Sequence, residues 1–268
     1  MSYILNKITS DYLLNKDYVS RSMLMDLNKS PAHFFFKNLS GIDQESYYTP
    51  PMIFGSALHT YVLEPELFID RYALFENIDR RTKEGKLDYA KFVEKARGKI
   101  VIGLGEFEDI LSISNNIETH DTASLLIGGA VCEKELYWVD PETGVKCKCK
   151  PDIINRTVVA DLKTANDISL RGIRNAIFKY GYAVQAAMIR EGMNANNMGE
   201  MSSFWLIVAE KNAPFTITTY KLGEDFIEFG IVEFRRLLGI YKECLEENIW
   251  PGPKSCEISF RNKLELGA

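Results

Sequence analysis

The chain predicts an α/β fold, a central sheet flanked by helices, and three observations carry that expectation. From residue 133 to 164, apolar and polar residues alternate through successive runs separated by turn chemistry, the two-residue period of strands. On either side of that block apolar residues recur at three-to-four spacing, the buried stripe of helices, at 107–118, 169–191 and 225–248. Two more strand-like runs, 204–210 and 216–221, bracket the turn residues 211–214. The 268 residues, 46% apolar, suffice for one large core. They divide into a mainly helical part (1–130), a sheet with a crossing helix (131–221), and a C-terminal helix with a tail (222–268), all within a single domain.

Taken in order, residues 20–29 read as a short helix begun by Ser20 or Ser22, with Leu24 and Leu27 inward and Pro31 ending it. Phe34, Phe35 and Phe36 follow as three consecutive aromatics, a pattern used more often to anchor a segment to the core than to stack on bases. Residues 55–63 form a helix that ends before Pro65, with His59 between Leu58 and Tyr61. Taken alone, such a histidine is more often a hydrogen-bonded core residue than a ligand. Helices are expected at 87–97, at 107–118 with Phe107, Ile110, Leu111 and Ser114 on one stripe, and at 119–130, closing at Gly128 and Gly129. Beyond the sheet block, 169–191 is helical with a break near Gly181, and 225–248 is a long amphipathic helix before the Pro251, Gly252, Pro253 tail.

The alternating block fixes a register. If residues 141–144 are a four-residue loop closed by Asp140 and Val145, Glu133 lies opposite Asp152. If Arg156 and Thr157 are a two-residue loop closed by Asn155 and Val158, Asp152 lies opposite Asp161. Opposed residues of an antiparallel pair have Cβ atoms about 4.5–5.5 Å apart. Glu133, Asp152 and Asp161 then form one transverse row, and Lys163, two residues along, shares their face. Leu136, Trp138, Cys147, Cys149, Val158, Ala160 and Leu162 would occupy the opposite, core face. A slip of one residue would turn every side chain over, and a three-residue loop with a bulge is the alternative to the Arg156-Thr157 turn.

Three carboxylates in one row repel unless a cation neutralises them. Mg²⁺ suits such a site, since it takes one or two carboxylates, keeps waters and accepts phosphate oxygens, and Lys163 beside it could orient a water and offset charge on phosphate. The bland counterpart is a solvated sheet face with cross-strand Glu/Asp and Lys pairs. Residue types alone leave both open.

Asp152 on one strand, with Asp161, Leu162 and Lys163 on the next, resembles the PD-(D/E)XK nuclease motif. The likeness extends to PPMIFGSALHTYVLEP (50–65), DRRTKEGK (79–86), ELYWVDPETG (135–144), CKPDI (149–153) and KYGYAVQAAM (179–188), which together look like the RecE-type phage and prophage exonuclease domain over residues 20–187. The resemblance implies a central mixed sheet and a site made of His59, Glu133, Asp152, Asp161, Lys163 and Gln185. Asp152 and Asp161 would be the main metal ligands with the Leu162 backbone carbonyl, Glu133 and His59 completing the metal environment. Gln185 would position substrate or water. It further implies Mg²⁺ as cofactor, with Mn²⁺ as a substitute, double-stranded DNA ends as substrate, 5′-to-3′ digestion without ATP, a homo-oligomeric ring, and a single-strand annealing protein as partner. Relatives often carry Tyr four residues after this Gln; here Ile189 stands there, and Tyr182 is expected on a different side of the helix. A structure-selective or Cas-type end-processing nuclease is the first alternative, and a non-catalytic DNA-binding scaffold the second.

The net charge of −5 is not that of a general nucleic-acid binder, so local charge matters more. Arg80, Arg81, Lys83 and Lys86 lead a basic stretch, in which Lys91 to Lys99 read as a solvated helix face, and Arg171 and Arg174 follow the motif as candidate phosphate contacts. No run of 18 apolar residues and no secretory pattern is seen, which excludes a membrane helix; the cysteine usage reads as that of a cytoplasmic protein, and the resemblance implies a bacterial host or its phage. Five cysteines without zinc or cluster spacing read as reduced, with Cys147 and Cys149 as small buried hydrophobes.

Overall fold

The computed structural model describes residue 12 and residues 15–42, 49–76, 81–96, 98–253 and 255. Helix α1 (Arg21–Lys29) opens on Ser20, whose hydroxyl accepts from the Met23 N–H. Pro31 does more than stop it. With Ser30 as cap, Pro31 starts α2 (Pro31–Asn38), because a residue without an N–H suits a first helical turn. The three phenylalanines therefore lie on a helix, Phe34 buried and Phe35 and Phe36 exposed. Prolines likewise open α3 (Pro50–Leu63) and α4 (Pro65–Arg71).

Strand β1 (Tyr72–Phe75), helix α5 (Lys83–Lys95) and strand β2 (Ile100–Gly103) follow, β1 and β2 pairing in parallel as a small separate sheet. Helices α6 (Leu104–Thr119) and α7 (Asp121–Ile127) lead into the sheet block. That block holds β3 (Val131–Cys132), β4 (Leu136–Val139), β5 (Lys146–Cys149), β6 (Ile153–Asn155) and β7 (Val158–Ala165). Then come α8 (Leu170–Tyr180), α9 (Tyr182–Ala195), β8 (Ser203–Glu210), β9 (Ile217–Lys221) and α10 (Glu224–Glu247).

The central sheet has the order β3-β6-β7-β8-β9, with β7 and β8 parallel and the other neighbours antiparallel, so it is mixed. Both expected registers hold. Leu136 faces Cys149 and Trp138 faces Cys147, while Asn155 faces Val158 and Ile153 faces Ala160. The tight second turn works because Arg156 takes φ 58°, the left-handed conformation such a loop needs.

The expected single strand through Glu133 does not form. Glu133 has φ 52°, and the hairpin β4–β5 departs there as its own two-stranded sheet. The break splits the apolar face expected of the sheet. Leu136, Trp138, Cys147 and Cys149 join a core with Ile154, Val159 and Leu206 under α8, α9 and α10. Ala160 and Leu162 join a second core with Ile153 and Ile207 under α3, α6 and α7, against which Val158 packs. Both faces of the central sheet are thus covered, and the division into one core face and one chemical face is corrected to two cores with a polar seam. A parallel pair such as β7 and β8 is normally buried on both sides.

Two glycines set the helices. Gly181, at φ 66°, ends α8 and turns the chain into α9, and a Cβ there would lie 2.2 Å from the Met25 sulfur. At Gly230 a Cβ would fall 2.1 Å from the Ala183 carbonyl oxygen, so α9 and α10 cross with their backbones in contact. The β4–β5 turn is tied to this pair: buried Asp140 accepts from the Thr143 N–H at 2.9 Å and from Arg235 of α10, which also reaches Glu191 of α9 at 3.2 Å.

Candidate active site

Five chain segments meet where β3 ends and β6 begins. The Glu133 N–H donates to the Asp152 carbonyl at 3.0 Å, continuing the β3–β6 register, and the β6–β7 register carries on to set Asp152 beside Asp161. Helix α3, from the far side of the sheet, brings His59 to the same seam. Its Nδ1 lies 3.6 Å from Asp152 Oδ2 and 3.8 Å from Glu133 Oε1. Helix α9 supplies Gln185, whose Nε2 donates to Asp161 Oδ1 at 2.8 Å. Lys163, two residues past Asp161 on β7, holds Asp161 Oδ2 at 2.5 Å. All six residues expected at the site are therefore assembled in one place.

They form two subsets. One donor atom each from His59, Glu133 and Asp152 lies within 4.8 Å of the other two, a grouping that could hold a cation. Asp161, fully buried, turns its two oxygens to Lys163 and Gln185 instead. Asp152 bridges the subsets, since its Oδ2 also accepts the Leu162 N–H at 2.8 Å. The ladder position opposite Leu162 is Pro151, which has no N–H to donate, so the Leu162 carbonyl has no cross-strand donor from that residue.

Electrostatics separate the subsets further. Burial, then the charge of Asp161, pushes the Asp152 carboxyl up to about 7. Burial would lower His59, but the Asp152 carboxylate and then Glu133 outweigh it and hold the imidazole above its usual value. Glu133 is pushed up by burial, yet neighbouring His59 and the Lys150 ammonium bring it below the carboxylate range. Burial opposes charge on Lys163, while Asp161 and Asp152 hold its pKa above that of a free lysine. A buried carboxyl that resists its charge, Asp152, grouped with the Glu133 carboxylate and an imidazole, is a donor set whose repulsion a divalent cation relieves. The residues present fit one.

Two residues were not anticipated. Lys150 Nζ lies 2.7 Å from Glu133 Oε2; it stands two residues before Asp152, so the parity argument that placed Lys163 would have found it. Tyr182 was expected away from Gln185, but its ring centroid is 5.5 Å from Lys163 Nζ. Three residues before Gln185 on α9, it faces the same way.

A cavity of about 240 Å³ adjoins the seam, lined by Lys16, Arg21, Lys37, Lys148, Lys150 and Gln185 among others. Ile189, at the position where relatives often have Tyr, is buried and also borders it. Arg171 and Arg174 stand exposed on α8 and do not line this cavity. Arg81 is exposed at the start of α5, and Arg80 lies outside the described residues. Cys147 and Cys149 are buried free thiols, Cys147 pushed up to about 12 chiefly by burial; Cys256 is outside the described residues. Among the described residues no helix is long and apolar enough to cross a membrane.

Comparison with known proteins follows the same lines. A search of curated proteins finds no match. Among solved structures, a protein from Eubacterium rectale titled "Putative exonuclease" superposes with a TM-score of 0.59 at 18% identity, covering 94% of this chain and 95% of its own. A phage related exonuclease from Haemophilus somnus matches at 15% identity and a TM-score of 0.33, covering 86% of this chain and 96% of its own. The first shows a shared fold. The family model for a PDDEXK-like domain of unknown function (DUF3799) matches residues 20–261, nearly the whole chain, and the protein belongs to that family.

Proposed function

We propose that this protein is a divalent-metal-dependent nuclease that digests double-stranded DNA from its ends, 5′ to 3′ and without ATP, leaving 3′ single-stranded tails for an annealing protein. The observation that carries the nuclease reading is the seam itself: Glu133, Asp152 and His59 grouped as cation donors beside an Asp161–Lys163 pair. Polarity, the ring-shaped homo-oligomer, the annealing partner, and a setting in a phage-bearing bacterial cytoplasm rest on the resemblance to RecE-type enzymes. Mg²⁺ is the expected ion, with Mn²⁺ able to replace it.

His59, Glu133 and Asp152 would hold the metal with the Leu162 carbonyl, Asp161 lying alongside. When bound, a divalent ion supplies Lewis-acid polarisation of the phosphoryl oxygen and a more acidic water. The residues do the rest. Lys163, with its pKa raised, stays an ammonium and acts as a hydrogen-bond donor to the attacking water and to negative charge building on phosphate. Asp161 fixes that ammonium in place, and Gln185 fixes Asp161. Lys150, Arg21 and Lys37 at the adjoining cavity offer cations to the strand on its way to the seam.

The test uses linear duplex labelled separately at its 5′ and 3′ ends, with and without Mg²⁺, beside a covalently closed circle. Early Mg²⁺-dependent release of 5′ label with the circle intact is expected. Cutting of the circle would replace this reading with the endonuclease alternative, and DNA binding without hydrolysis with the scaffold.

A further inference from the structure

Lys163 also lines a second cleft, of about 390 Å³, whose wall includes Lys179, Tyr180, Tyr182 and Lys211 and none of the seam carboxylates. We infer that this cleft receives an unpaired base of the strand being cut, stacked on Tyr180 and Tyr182; the inference rests on the nuclease reading and adds to it the state of the substrate.

Four features point to a stacking platform. The two tyrosine rings lie nearly parallel, at 5.8 Å between centroids and 29° between planes. Each carries a cation: Lys179 Nζ is 5.1 Å from the Tyr180 centroid and Lys163 Nζ 5.5 Å from that of Tyr182. Tyr180 is 46% exposed, so part of its ring is open to solvent. Lastly, the platform is fixed rather than loose, because Arg21 donates to the Tyr180 carbonyl at 3.0 Å and Gly181 sets the bend between the rings.

Aromatic rings with interleaved cations are how proteins hold unpaired nucleotides, the rings taking bases and the cations backbone. A base inside a duplex has both faces covered by its neighbours, so only a terminal or unstacked base can meet such rings. Lys163 belongs to both the carboxylate pair and this wall. A phosphate engaged by Lys163 therefore places the base of an adjoining nucleotide over the tyrosines. The strand must part from its complement before it is cut. Asn166 and Asn175 on the same wall offer donors and acceptors to a base edge, and Asp167 there adds a carboxylate.

The experiment places a single abasic residue at each of the first four positions from the end of a DNA strand. Each substrate is measured in two ways on the full chain: equilibrium binding with Ca²⁺ by fluorescence anisotropy, and hydrolysis with Mg²⁺. For the wild type, one abasic position should weaken binding and lower kcat/KM about tenfold. Tyr180→Ala should lose about tenfold on intact DNA and become insensitive to that abasic position, while Tyr180→Phe should behave as wild type. Tyr180→Ala matching the wild type on intact DNA would overturn the platform, as would a Tyr180→Ala variant that keeps the abasic penalty. If the wild type hydrolyses nothing, the nuclease reading fails, and the binding arm still decides the platform by the same pattern.

Discussion

The two halves of the seam contrast in how their charges are answered. Asp161 is a buried carboxylate whose oxygens already meet an ammonium and an amide within the protein. Asp152, about a strand spacing away, has burial and a neighbouring anion acting against its charge and is pushed up to about 7. One half is neutralised by its own side chains and the other calls for something from outside. The difference teaches a division of labour: the Asp161 half orders a cation of the protein, and the His59, Glu133 and Asp152 half is the grouping that could take a cation of the solution.

The sharpest way to break that division is to remove one residue from each half. Lys163→Ala should lower kcat on the order of 10³-fold and leave metal affinity, measured by calorimetry, close to wild type. Asp152→Ala should lose hydrolysis as completely, and metal affinity about a hundredfold or more. Equal loss of metal affinity in both variants would merge the two halves into one.

A pH titration sharpens the same contrast. Because the folded pKa of Asp152 is raised, the metal-free protein is favoured with Asp152 protonated. That contribution is complete below the unfolded carboxylate value and is lost as pH rises through about 7. The raised pKa of His59 acts in the same direction. The melting temperature of the metal-free protein should therefore fall between pH 5 and 8 while metal affinity rises, and Asp152→Asn should flatten the melting trend.

Smaller effects are expected at the edges. Lys150 competes for Glu133 at 2.7 Å, so Lys150→Met should tighten metal binding about threefold by removing a like charge while weakening DNA binding. Ile189→Val should cost about 1 kcal/mol of stability as a buried methylene deletion and leave kcat unchanged. A fall in kcat like that of Lys163→Ala would mean that Ile189 contributes to the chemical step after all.

Much of this seam is legible in the amino-acid sequence. The register of Glu133, Asp152 and Asp161 followed from turn residues and strict alternation, because a two-residue period admits few alignments. Three features were hidden for physical reasons. Glu133 in the left-handed region has no composition signature, since a non-glycine residue held there is held by its surroundings. Tyr182 was misplaced although it stands three residues before Gln185, a spacing that should have put the two on one face of α9. Strands β1 and β2, four residues each, are too short for alternation to register. The double burial of the sheet was legible in principle: the near-continuous apolar run at 204–209 is that of a strand covered on both faces.

The break at Glu133 has a thermodynamic consequence. Because the seam draws its donors from α3, the end of β3, the start of β6 and strand β7, an unfolded chain has them scattered over about a hundred residues of sequence and holds no preformed site. Metal that binds the proposed site would be a ligand of the native state alone, and the native state would gain about 2.7 kcal/mol at a free concentration one hundred times Kd. Thermal melting against metal concentration, with no DNA present, would rank His59, Glu133, Asp152 and Asp161 by how far each substitution erases the shift.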